Sequence, residues 1–192
     1  MKTNKLTFMA LLTALALIIF TLESFIPAPL PIPGIKLGLA NIITLYTVWT
    51  LRPQEALCIL LVRIVLGSIF TGQLTAFCYS LAGGLCCFFL TVLLQKILNP
   101  HQIWISSIAG AISHNIGQIT TAILLTATPE LIAYLPVLLF SSMLTGAFTG
   151  FAAQQLYFRL QQNTAGILVT FFNAFPAFLL HTFFHLFLQI LL

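Results

Sequence analysis

The sequence predicts an all-α fold: a polytopic bundle of membrane helices, with a six-helix core and one further apolar segment at the C-terminal end. Three observations predict it. Of 192 residues, 60% are hydrophobic and 5% are charged, whereas an ordinary soluble domain carries about 25% charged residues. The apolar residues form runs close to the roughly 20 that a helix needs to cross a bilayer, separated by short polar or proline-rich pauses. The basic residues gather at alternate pauses, as topology signals do.

The first span, about 6–26, follows a basic start at Lys2 and Lys5. No small-x-small cleavage site leads into a soluble mature domain, so a retained span is expected rather than a signal peptide. Next comes PAPLPIPGIKLGLANI, residues 27–42. Pro27, Pro29, Pro31, Pro33 and Gly34 cannot continue a helix, because proline lacks a backbone donor and clashes with the preceding turn. This rigid stretch brings Lys36 to the head of a second span, 36–51. That span and the third, 55–71, are short, which suits helices that end against a loop-filled cavity. Spans at 74–95, 103–127 and 131–157 complete a membrane core over residues 1–158, with a ligand pocket on its outer face. Residues 159–192 hold a polar linker, QQNTAG, and a phenylalanine-rich segment at 166–191. That segment either crosses once, the favoured reading, or forms a hairpin broken at Pro176.

Charge placement orients the bundle. With the N-terminus in the cytoplasm, Lys2, Lys5, Arg52, Lys96 and Arg159 flank the inner face, and Lys36, Glu23 and Glu130 the outer. The expected location is therefore a cytoplasmic membrane, multi-pass, with membrane lipid as the surrounding partner. The net charge of +4 is accounted for by these flanks and calls for no nucleic acid.

Several activities are excluded as readings of this chain. It has no aspartate, and magnesium-assisted phosphate chemistry leans on carboxylate clusters. No P-loop, GxSxG, HExxH or aspartate-rich diphosphate motif is present. No catalytic residue, no metal and no cofactor is expected, and any active transport would draw its energy from a partner. Cys58, Cys78, Cys86 and Cys87 lie in apolar runs without zinc-site spacing, which suits buried free thiols.

Charged groups inside a bilayer cost about 2.5–3.5 kcal/mol each on insertion scales, so their presence suggests function by default. Arg63 sits near the middle of the third span, in CILLVRIVLGSIF. It either binds a ligand or is satisfied by helix-end carbonyls or by Glu23. Lys36 either faces a ligand or snorkels to the outer interface, and Glu23 is a counter-charge for either cation. His114, Asn115 and Gln118 cluster in SHNIGQIT, with His114 and Gln118 on one helix face at i,i+4, and Asn41 lies at matching depth. These groups suit hydrogen bonds either to a small polar molecule or between helices. Glycines at 67, 72, 83, 84, 110, 117, 146 and 150 mark close helix approaches, and Ala10-x-x-x-Ala14, followed by Ala16, makes a smooth strip on the first span. The strip packs inside the bundle or receives another subunit.

The strings PLPIPGIKLGLANIITL, LLVRIVLGSIFTG, YSLAGG and AGAISHNIGQI, in that order, resemble the bacterial family of Gx transporters, many of them catalogued as heptaprenyl diphosphate synthase component I. The resemblance covers about residues 6–158. That family is similar to the substrate-binding S-components of energy-coupling factor transporters, six-helix membrane proteins with an external ligand pocket. The resemblance implies a transmembrane coupling subunit with two ATPases as partners, docked on Ala10 and Ala14. With it, the clustered polar residues point to a small, anionic vitamin or precursor as ligand: Lys36 and Arg63 for its charge, Asn41, His114, Asn115 and Gln118 for hydrogen bonds, and Glu23 as counter-charge. The family's other label implies a non-catalytic membrane accessory of polyprenyl diphosphate synthesis, partnered by a catalytic synthase subunit.

Overall fold

In the computed structural model, residues 2–24, 38–72 and 74–162 are described; the proline stretch, Lys36 and the segment at 166–191 lie outside them. Every described element is helical: α1 (Lys2–Ser24), α2 (Asn41–Thr50), α3 (Pro53–Thr71), α4 (Leu74–Gln95), α5 (Ile103–Thr126) and α6 (Leu135–Gln162). Short 3₁₀ turns at Pro100–Gln102 and Pro129–Tyr134 lead into α5 and α6. All helices except α2 belong to stretches long and apolar enough to cross a membrane. The chain is a multi-pass helical membrane protein. Two compact units divide it, Met1–Gln155 and Leu156–Leu192. Of the second, the described part is the end of α6, where the Tyr157 and Phe158 rings meet edge-on and Gln161 donates to the Tyr157 hydroxyl at 2.9 Å.

The helix ends follow local chemistry. Pro53 takes the first position of α3, where its missing N–H costs nothing, and the Glu55 carboxylate accepts from the Arg52 N–H at 3.3 Å. Gln102 accepts from the Asn99 N–H at 3.2 Å ahead of α5. Gly72 closes α3 in the left-handed conformation, φ 66°, and its N–H bonds the Ser68 carbonyl at 2.9 Å.

α2 differs most from expectation. A span over 36–51 was predicted, but the helix covers Asn41–Thr50, about 15 Å at 1.5 Å per residue. That is half of a roughly 30 Å hydrocarbon core. The reason is Gly38, whose φ of 71° no helix accepts. Its carbonyl accepts from the Asn41 N–H at 2.9 Å, forming a turn just before α2. Every residue from Ile42 to Trp49 is buried, so α2 is a half-length helix enclosed by protein. It packs on α1, α3 and α4.

Glycine faces draw the longer helices together. A Cβ on Gly117 would sit 3.1 Å from both the Ala82 carbonyl oxygen and the Gly83 Cα, and one on Gly110 would sit 3.0 Å from Cys87 Sγ. One on Gly150 would come within 2.6 Å of the Trp104 Cα, so α6 meets α5 backbone to backbone. The packing reading holds for these glycines but not for Gly72, which has nothing within 4 Å and instead ends α3 with a left-handed backbone. The cysteines are free, but Cys58 and Cys86 face outward. In a lipid environment the outward surface is itself apolar, so an apolar run does not imply the protein interior.

At one end of the bundle Lys5 and Glu55 pair at 2.6 Å, joining the starts of α1 and α3. At the other end, the Glu23 carboxylate accepts from the Gly38 N–H, joining the end of α1 to the turn before α2.

Candidate functional site

A small cavity, about 70 Å³, opens among α1, α2, α3, α4, α5 and α6. It gathers side chains from positions as far apart in sequence as Glu23 and Thr149.

Arg63 is 7% exposed and Glu23 6%, and the two interact as charges. Arg63 lies ten residues into α3, roughly 15 Å along the helix and half-way through a bilayer. A cation at that depth stays charged only with a counter-charge or a polar cavity, and here it has both. Glu23 is held in place by the Gly38 N–H. Only a glycine adopts the turn conformation at 38 without strain, and a Cβ there would also lie 3.3 Å from the Asn41 amide nitrogen. The GLAN sequence thus sets both the carboxylate and Asn41 at the cavity wall.

The α5 wall depends on the glycines of α4. A Cβ at Gly83 would fall 2.7 Å from Gln118 Cγ and 3.1 Å from His114 Cε1. The absence of a side chain there makes room for both residues beside α4. The His114 imidazole bonds the Gly83 backbone, and its Nδ1 is buried without a partner. Asn115 donates from Nδ2 to the Leu138 carbonyl at 3.0 Å, tying α5 to α6. The interhelical reading therefore holds for that amide nitrogen, although Asn115 also lines the cavity.

Six residues singled out from the sequence thus line one cavity: Glu23, Asn41, Arg63, His114, Asn115 and Gln118. Lys36 lies outside the described residues. Ala10 and Ala14 are not at the cavity; both are exposed on the outer face of α1, while Ala16 is 1% exposed and faces inward. Among the described residues, no three His, Cys, Asp or Glu side chains are placed to hold a metal ion.

Sequence reasoning missed the α6 wall, where Ser141, Ser142, Thr145 and Thr149 line the cavity. Their signal was a polar stripe at i, i+3/i+4 and i+7/i+8 inside an apolar span. A smaller pocket, about 20 Å³, adjoins the first through Asn41, Ala111 and Thr149 and adds Thr44, Thr91 and Ser107. Across it the Ser107 and Thr149 hydroxyls bond at 3.1 Å.

No curated protein and no solved structure matches the chain. The family model described as heptaprenyl diphosphate synthase component I matches residues 12–156, which take in all of the described cavity residues. The chain belongs to the heptaprenyl diphosphate synthase component I family.

Proposed function

We propose that the protein is a non-catalytic capture subunit for a small anionic molecule in a bacterial cytoplasmic membrane. Its N-terminus lies in the cytoplasm, and the cavity opens to the exterior. The observation that carries this reading is the buried Arg63, set in a cavity with one carboxylate and a set of neutral hydrogen-bonding groups. Such a site draws an anion out of water by offering it a desolvated cation and leaves the rest of the molecule to amides and hydroxyls. The six-helix core forms the pocket, and Lys36 would supply a second cation for the ligand. The exposed Ala10 and Ala14 let a partner helix approach α1 closely, which suits a transmembrane coupling subunit with its ATPases.

The experiment is to purify the full chain without added ligand, release what it carries and identify it by mass spectrometry, beside the Arg63→Ala protein. A small anion carried by the wild type and lost from Arg63→Ala is the expected result. Equal loading of the two proteins would end the anion reading.

The family description favours a second reading, an accessory that holds a soluble prenyl synthase subunit at the bilayer, where a long product partitions. The chain has no aspartate to bind the magnesium diphosphate of that reaction, so catalysis would belong to the partner. Affinity purification separates the two readings: ATPases with a coupling subunit support the first, a prenyl synthase the second.

A further inference from the structure

The chamber that holds a buried cation also holds a buried carboxylate. Arg63 and Glu23 line the same cavity, both are buried, and they interact as charges. The Gly38 N–H donates to Glu23, a charge-assisted bond that fixes the carboxylate at the wall. The chamber is small, about 70 Å³. At the roughly 10–15 Å³ that one enclosed water needs, it takes about five water-sized groups. No negative charge that enters it can therefore lie far from Glu23. Like charges enclosed away from water repel strongly, because neither solvent nor salt screens them as it does at a surface. The first negative charge on a ligand is offset by Arg63. A second one meets Glu23, and the described lining holds no second lysine or arginine to offset it.

We infer that Glu23 sets the charge of the ligand: the cavity takes a singly charged anion, of the class of short-chain carboxylates, and rejects doubly charged ones, phosphate esters and diphosphates included. The inference rests on reading the cavity as an anion site and narrows its ligand. A carboxylate suits the Arg63 guanidinium, whose planar fork matches it with two parallel N–H···O bonds. A phosphate monoester carries a charge of about −1.5 to −2 at pH 7, so its second charge falls beside Glu23. Lys36 as a second cation would keep the same limit, since two positive charges against the Glu23 carboxylate match one anionic group. Glu23 is then a specificity-determining residue as well as a counter-charge for Arg63.

The test uses the purified full chain in lipid nanodiscs, calorimetric titration at neutral pH and two matched pairs of probes at millimolar concentration. Methanesulfonate and sulfate have nearly the same shape and differ by one charge, and so do malonamate and malonate. The singly charged member of each pair is expected to bind roughly tenfold or more tightly than the doubly charged one. Glu23→Gln keeps the shape of the side chain and an acceptor for the Gly38 N–H while removing the charge. It should admit the dianions and cut the preference to roughly threefold or less. A preference that survives Glu23→Gln unchanged overturns the inference, because desolvation of the dianion alone would then account for it. Wild-type pairs that bind alike, or a preference for the dianions, also overturn it, and they do so even if Glu23→Gln does not fold. Each of these results leaves the anion reading standing. If none of the four probes binds, the anion reading fails and the inference fails with it.

Discussion

Gly83 is where packing and binding meet most closely, and its replacement by alanine tests both. The added Cβ would lie 2.7 Å from Gln118 Cγ and 2.8 Å from the His114 carbonyl oxygen. The glutamine side chain can swing away; the carbonyl belongs to the α5 backbone and moves only if the helix does. Overpacking of this kind costs about 1–3 kcal/mol. Alanine's better helix propensity returns about 1 kcal/mol, so a net loss of about 1 kcal/mol is expected for Gly83→Ala. For a chain of this length that is a fall in Tm of roughly 2–4 °C. Gly84→Ala is the control. Its Cβ would lie 3.0 Å from Ile64 Cδ1, the end of a flexible side chain, and its propensity gain should cancel most of the overlap. Thermal unfolding in nanodiscs gives both values, and the amount of small anion carried through purification gives the second effect, because the Gly83 substituent displaces His114 and Gln118 from the cavity wall. If Gly83→Ala is as stable as the wild type, or if the two variants fall equally, the backbone-contact reasoning is refuted.

Further substitutions probe the other supports of the site. Gly38→Ala forces a side chain onto φ 71° and toward Asn41; it should cost about 1–2 kcal/mol in chemical denaturation. Gly72→Ala, at φ 66° with nothing within 4 Å, should cost less. Arg63→Met alone leaves the buried Glu23 without its counter-charge and should cost about 3–5 kcal/mol. Adding Glu23→Gln should recover about 1 kcal/mol or more of the summed losses in a double-mutant cycle, and strict additivity would show that the two charges do not interact. Gly150→Ala would press within 2.6 Å of the Trp104 Cα and 2.7 Å of Ser107 Cβ. A loss of about 2–3 kcal/mol is expected, together with a change in tryptophan fluorescence as the stacked Trp104 and Phe151 rings, 5.6 Å apart, separate.

The helical fold and the membrane setting were legible because both are written in local patterns. Apolar run length and proline or polar pauses act over a few residues, and most of the observed helix starts and ends fall near them. The glycines were legible as contact points for the same reason: a missing side chain advertises a close approach whatever the partner. Arg63 stood out because a lone cation in an apolar run has few structural uses. The partner of each contact was not legible. Nothing in the run after Pro33 announces that Gly38 turns left-handed and cuts α2 to ten residues. Glu23 was legible as a counter-charge for Arg63, but nothing in the sequence reveals that the Gly38 N–H would anchor that carboxylate.

The hydroxyl wall of α6 shows the division most plainly. Serine and threonine are common in apolar helices, where each bonds its own backbone, so SSMLTGAFT by itself describes a tolerated polar stripe. Gly146 and Gly150, pressed against Ile108 and Trp104 of α5, turn that stripe toward the cavity. By itself the sequence determined that this is a helical membrane protein with a charge in its interior, since length, apolarity and the cost of a bare cation are properties of single segments. Only the tertiary structure decided that six distant polar residues share one chamber, because a cavity depends on which segments the fold brings together.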